Sequence, residues 1–150
     1  MYSKQEASQL KKEFWTVFGQ YMSPIASAEG ERINWVNYRT GKKDIVFRME
    51  AGKDEAIVSI EILHKDQDLQ QLYFEQFLSM KRSMEEMLPG KWEWVLHDKD
   101  EYGKVFSRIY TRSGKLNIFQ KNDWPELISF FKTNIIALDT FWFHWSNWIR

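Results

Sequence analysis

The chain has 150 residues, 43% of them hydrophobic and 28% charged, a balance that supports one packed core and excludes wholesale disorder. Its 21 basic and 21 acidic residues cancel, which speaks against a strongly basic nucleic-acid binder. Cysteine is absent, so disulfides and thiolate chemistry are excluded, in keeping with a reducing cytoplasm.

The opening residues, MYSKQEASQLKKEF, are charged throughout and lack the apolar run of a signal peptide. No stretch approaches the ~20 apolar residues that cross a bilayer. The expectation is a soluble, cytoplasmic protein with no membrane partner. Aromatic residues make up 17% of the chain and include 8 Trp, more than a small core needs.

Ser3 and Glu6 form an S-x-x-E capping box at the start of a first helix. Its apolar stripe is Ala7, Leu10, Phe14, Val17, Phe18 and Tyr21, and Ser23-Pro24 ends it. Residues 24–31 read as a loop. Ile33–Tyr38 (INWVNY) alternates and carries aromatic and β-branched residues, which predicts a strand.

Asp44–Glu50 and Glu55–Leu63 read as the next two strands, joined by the turn Ala51-Gly52-Lys53-Asp54. The second of them is apolar on nearly both faces, as a central strand is. Asp66 is placed to cap a long helix with the stripe Leu69, Leu72, Tyr73, Phe77, Met80, Met84 and Met87, which Pro89-Gly90 terminates. The methionines on that stripe read as core. Trp92–His97, Lys104–Thr111 and Lys115–Gln120 then predict an antiparallel meander.

Asp123 and Glu126 form a second capping box around Pro125, opening a helix from Trp124 to about Trp148. That helix is apolar nearly all round, as expected of one that is deeply buried or covered by a partner. Its end, FWFHWSNWIR, places Phe141, Trp142, Trp145 and Trp148 in a candidate interface, such as a homodimer seam. The whole reads as a single α+β domain over residues 1–150, in the order αβββαβββ, closed by a long C-terminal helix.

One pair of carboxylates stands out. With residues 51–54 as the loop, Arg48 opposes Ile57 and Asp44 opposes Glu61, about 5 Å apart at Cβ. Two acids so placed are candidate ligands for Mg²⁺, which keeps waters for a phosphate substrate; the alternative is a surface salt-bridge cluster in which Glu61 pairs with Arg48 or Lys43. The three histidines, His64, His97 and His144, have no metal-ligand spacing, and no phosphate loop or nucleophile elbow is present.

A helix, three strands, a helix and a strand, with acids in the second and third strands, resembles the restriction-endonuclease-like PD-(D/E)xK fold. In that superfamily the two acids bind metal, and a lysine two residues after the second orients the attacking water. The resemblance implies metal ligation by Asp44 and Glu61. Leu63 stands in the lysine position and Lys65 lies two residues further on. The strings YSKQEASQLKKEFW, VFRME, SIEILHKD with LYFEQF, and W-E-W are also similar to an uncharacterised bacterial family, a domain of unknown function. That family occurs as stand-alone proteins and as a C-terminal part of larger ones associated with nuclease-like regions.

Two functions follow as expectations. The first is a non-catalytic interaction module for a protein or nucleic-acid partner, with no cofactor; net charge does not support the nucleic acid. The alternative is a Mg²⁺-dependent nuclease using Asp44, Glu61 and Lys65.

Overall fold

The structure is a computed structural model that describes residues 2–150. Helix α1 spans Lys4–Met22, and the Ser3 side chain accepts the Glu6 N–H at its start. Strands β1 (Ile45–Ala51) and β2 (Ala56–Ile62) form the expected hairpin. Helix α2 (Gln67–Ser79) begins at Asp66, whose carboxylate accepts the N–H groups of Asp68 and Leu69. A break at Met80 separates it from α3 (Lys81–Met87), so the long helix expected here is two shorter ones. Strands β3 (Glu93–Lys99) and β4 (Val105–Arg112) follow, and α4 (Trp124–Trp145) closes the chain.

The sheet order is β1-β2-β4-β3, and every pairing is antiparallel. β2 is therefore central, as its two-sided apolarity indicated. Ile45, Phe47, Val58, Ile60, Ile62 and Ile109 point to one face, where they join Phe14 and Phe18 of α1, Phe74 and Phe77 of α2, Met84 of α3 and Phe131, Ile135 and Leu138 of α4 in one core. The opposite face carries ion pairs: Arg48 with Glu61, Arg108 with Asp98, and Arg112 with Glu55 and Glu93. Antiparallel sheets tolerate one wet face in this way.

Two expected strands are not formed. Ile33–Tyr38 is irregular: Asn34 Oδ1 accepts the N–H groups of Val36 and Asn37, and buried Trp35 donates its indole N–H to the Ile25 carbonyl. Side chains there compete with a ladder for the backbone donors. Lys115–Gln120 lies against the β1–β2 turn instead, with Leu116 N–H on Asp54 O and Ile118 N–H on Gly52 O. Only two strands thus precede α2. The second capping box also takes another form, since Asp123 turns its carboxylate back to the Asn117 N–H at 2.9 Å.

No helix among the described residues is long and apolar enough to cross a membrane.

Candidate functional site

The carboxylate pair comes first. The bonds Gly52 N–H to Glu55 O and Leu63 N–H to Asp44 O set a hairpin register two residues away from the expected one. Glu61 opposes Val46, and Asp44 opposes Leu63. Asp44 stands just before β1 with φ 63°, a left-handed conformation that aspartate tolerates better than most residues. Glu61 is engaged already: Arg48 Nε lies 2.9 Å from its Oε1, and its side chain is only 12% exposed. Lys65 is exposed beyond the end of β2. Among the described residues no group of three or more His, Asp or Glu is arranged to hold a metal ion.

Asp44 acts instead on His64. Burial lowers the His64 pKa, the Asp44 carboxylate raises it, and Lys43 lowers it again, with a net lowering. The His64 ring stacks on Tyr73 at 4.3 Å, and its buried Nδ1 has no hydrogen-bond partner. His97 sits in the β3 bulge with φ 54°, and His144 is exposed on α4.

The aromatic tail divides. Phe141 is fully buried and Trp142 is 5% exposed. Trp142 packs edge-on against Phe47 and donates its indole N–H to the Thr40 carbonyl at 2.7 Å. These two belong to the core of their own chain. Trp145 is half-buried, whereas Phe143 is 49% and Trp148 66% exposed. A short 3-10 turn after α4 returns the chain so that Ile149 is buried and the Gln76 amide holds both backbone groups of Arg150.

A broad concavity lies beside this tail. It measures about 880 Å³, between the irregular segment 27–41 and the end of α4. Asn34, Asn37 and Arg39 stand on one wall and Phe143, Ser146 and Asn147 on the other. Its floor is Asp139, 6% exposed, whose two oxygens are each taken: Tyr38 OH donates to Oδ1 at 2.5 Å and Ala28 N–H donates to Oδ2 at 2.7 Å. Burial first, and then the Asp139 carboxylate, push the Tyr38 hydroxyl pKa well above its ordinary value. The proton therefore stays on Tyr38 at neutral pH. The floor positions the loop; it supplies no base and no nucleophile.

The chain matches the family model described as Domain of unknown function (DUF4268) over residues 10–145. The chain belongs to this DUF4268 family. Neither the curated proteins nor the solved structures contain a match to it.

Nothing in the composition of the DUF4268 chain singled out Tyr38 or Asp139. A signal was nevertheless present: Asp139 is the only acid on α4 after Glu126. A lone carboxylate on an otherwise apolar helix requires donors from elsewhere in the fold.

Proposed function

We propose that this DUF4268 domain is a non-catalytic interaction module, which takes a segment of a protein partner into the cleft between residues 27–41 and α4. The carrying observation is the contrast between floor and rim. The floor groups, Tyr38 and Asp139, satisfy each other, while the rim offers exposed amides on Asn34 and Asn37, the Arg39 cation and the exposed Phe143 ring. A mostly pre-formed cleft with a few convergent polar groups and an aromatic anchor is built for recognition. A protein partner fits better than a nucleic acid, because each arginine on the open sheet face is paired with an acid.

The test is a photo-crosslinking residue placed at Phe143, with the same residue at Tyr102, 88% exposed at the far β3–β4 turn, as control. The expected result is a crosslinked polypeptide from position 143, lost on adding Asn37→Ala and Arg39→Glu, and none from position 102. Equal capture at both positions would sink the reading.

The metal-dependent nuclease has weaker support, since Glu61 is neutralised by Arg48. Calorimetric titration with Mn²⁺ separates the two: matching flat traces for wild type and Glu61→Ala are expected here, and a binding isotherm lost in the variant would favour the nuclease.

A further inference from the structure

The two margins of the sheet are unlike. β3, at one margin, is interrupted by a bulge between Val95 and Asp98, with His97 at φ 54° and Lys99 at its end. Bulges and lysines are the usual devices that stop a strand edge from pairing with another chain. β1, at the other margin, has neither device. It pairs with β2 through seven consecutive residues in unbroken register, Ile45↔Ile62 to Ala51↔Ala56, and contains no proline or lysine.

The hydrogen-bond alternation tells which β1 groups point outward. Asp44 and Gly52 bond to β2, so the even residues between them do likewise, and the N–H and C=O groups of Phe47, Met49 and Ala51 face away from the sheet. The neighbouring Ile45 is different: its N–H bonds Lys42 O, and its carbonyl accepts the Thr40 hydroxyl. Beside the outward groups run two open concavities of about 490 and 510 Å³, which meet at Trp15 and Met49. Met49 and Ala51 are half-exposed along this margin, whereas Phe47 is 7% exposed, with residues 36–39 lining the concavity beside it.

We infer that a second copy of this chain pairs with β1 through its own β1, antiparallel and centred on Met49, joining two four-stranded sheets into one of eight strands. The side chains decide the occupant. Centring on Met49 opposes Phe47 to Ala51, so that all six outward backbone groups of each copy find partners. It also opposes Arg48 to Glu50 of the partner subunit, twice over. Both side chains lie on the open face, 46% and 60% exposed; Arg48 Nε already meets Glu61 at 2.9 Å and lies 3.8 Å from Glu50 within the chain, so the cross-seam pairs extend an existing charge cluster. Opposite charges at facing positions support a strand pair, and like charges oppose it. The seam is self-complementary, as a two-fold interface must be. It does not use the cleft at Tyr38 and Asp139 for its bonding.

Sedimentation equilibrium of the full chain tests this. Wild type is expected to move from the 18.2 kDa monomer towards twice that mass as concentration rises. Arg48→Glu sets acids opposite acids, and Glu50→Arg sets bases opposite bases; each is expected to weaken self-association by about tenfold or more. Mixed in equal amounts, the two variants restore opposite signs and should form the mixed dimer. In wild type, amide exchange at Phe47, Met49 and Ala51 should slow as concentration rises, a reading that needs no variant to fold. A wild type that stays monomeric at millimolar concentration, a dimer whose three amides exchange at the monomer rate, or variants that associate as wild type does would each overturn the proposal.

Discussion

Tyr38 donates its hydroxyl to Asp139 across 101 residues of sequence, and the same carboxylate holds the Ala28 N–H. Segment 27–41 has no ladder of its own, so these two bonds and the Trp142–Thr40 bond hold it to α4. Removing Asp139 takes the acceptor from two donors at once, the half-buried Tyr38 hydroxyl and the Ala28 N–H. Asp139→Ala is expected to cost about 3 kcal/mol and Tyr38→Phe about 1 kcal/mol in urea unfolding. Equal and negligible losses would show that the segment is held by packing alone.

The raised Tyr38 pKa sets an alkaline limit. The folded value lies above the unfolded one, so the contribution is complete below the unfolded pKa of about 10 and is lost as pH rises from there towards the folded value. Wild type should lose stability above that pH more steeply than Tyr38→Phe. Melting curves of the two proteins in matched alkaline buffers supply the comparison, and parallel curves would count against it.

His64 sets a limit on the acid side. Its folded pKa is lowered, burial being the largest cause, and its unpartnered Nδ1 gives a proton no acceptor. The contribution is then complete above the unfolded value of about 6.5 and is lost as pH falls through the folded value. His64→Phe keeps the stack on Tyr73 and should flatten the decline of stability below pH about 6 relative to wild type. An NMR titration that finds His64 protonating at or above its ordinary pKa would refute the premise.

Gln70 is a further internal polar tie. It is fully buried, donates to the carbonyls of His64 and Val105, and accepts the Ser107 hydroxyl at 2.7 Å. Ser107 in turn accepts the His97 N–H, so one side chain on α2 braces both β4 and the bulge of β3. Gln70→Leu should cost about 2–4 kcal/mol, because it leaves two carbonyls and a hydroxyl without partners. A loss below about 1 kcal/mol would mean that water replaces the amide.

Much of the fold was legible because local signals agreed with tertiary demand. Ser3 and Asp66 cap their helices through their own side chains, and the two-sided apolarity of β2 matches its central place. The failures have physical causes. INWVNY alternates as a strand does, but alternation does not reveal that Asn34 would claim the backbone donors of Val36 and Asn37. The β1–β2 register turned on whether Gly52 belongs to the turn. It bonds Glu55, leaving Lys53-Asp54 as a two-residue connection, and every facing pair moves by two. That shift separated Glu61 from Asp44 and left it with Arg48, the ion pair that stood as the alternative to metal ligation. The cleft was the least legible part, because its two walls come from opposite ends of the sequence.

The wide separation of Tyr38 from Asp139 and of Thr40 from Trp142 also orders events in time. On the ribosome, residues 27–41 emerge long before α4 has been synthesised, and the Ala28 N–H, the Tyr38 hydroxyl and the Thr40 carbonyl must wait for Asp139 and Trp142. The hairpin and α1 can gather early, but the cleft walls come together only when the last helix docks. Nascent chains halted before residue 139 would therefore expose this segment to proteases, and its protection would report the completion of folding.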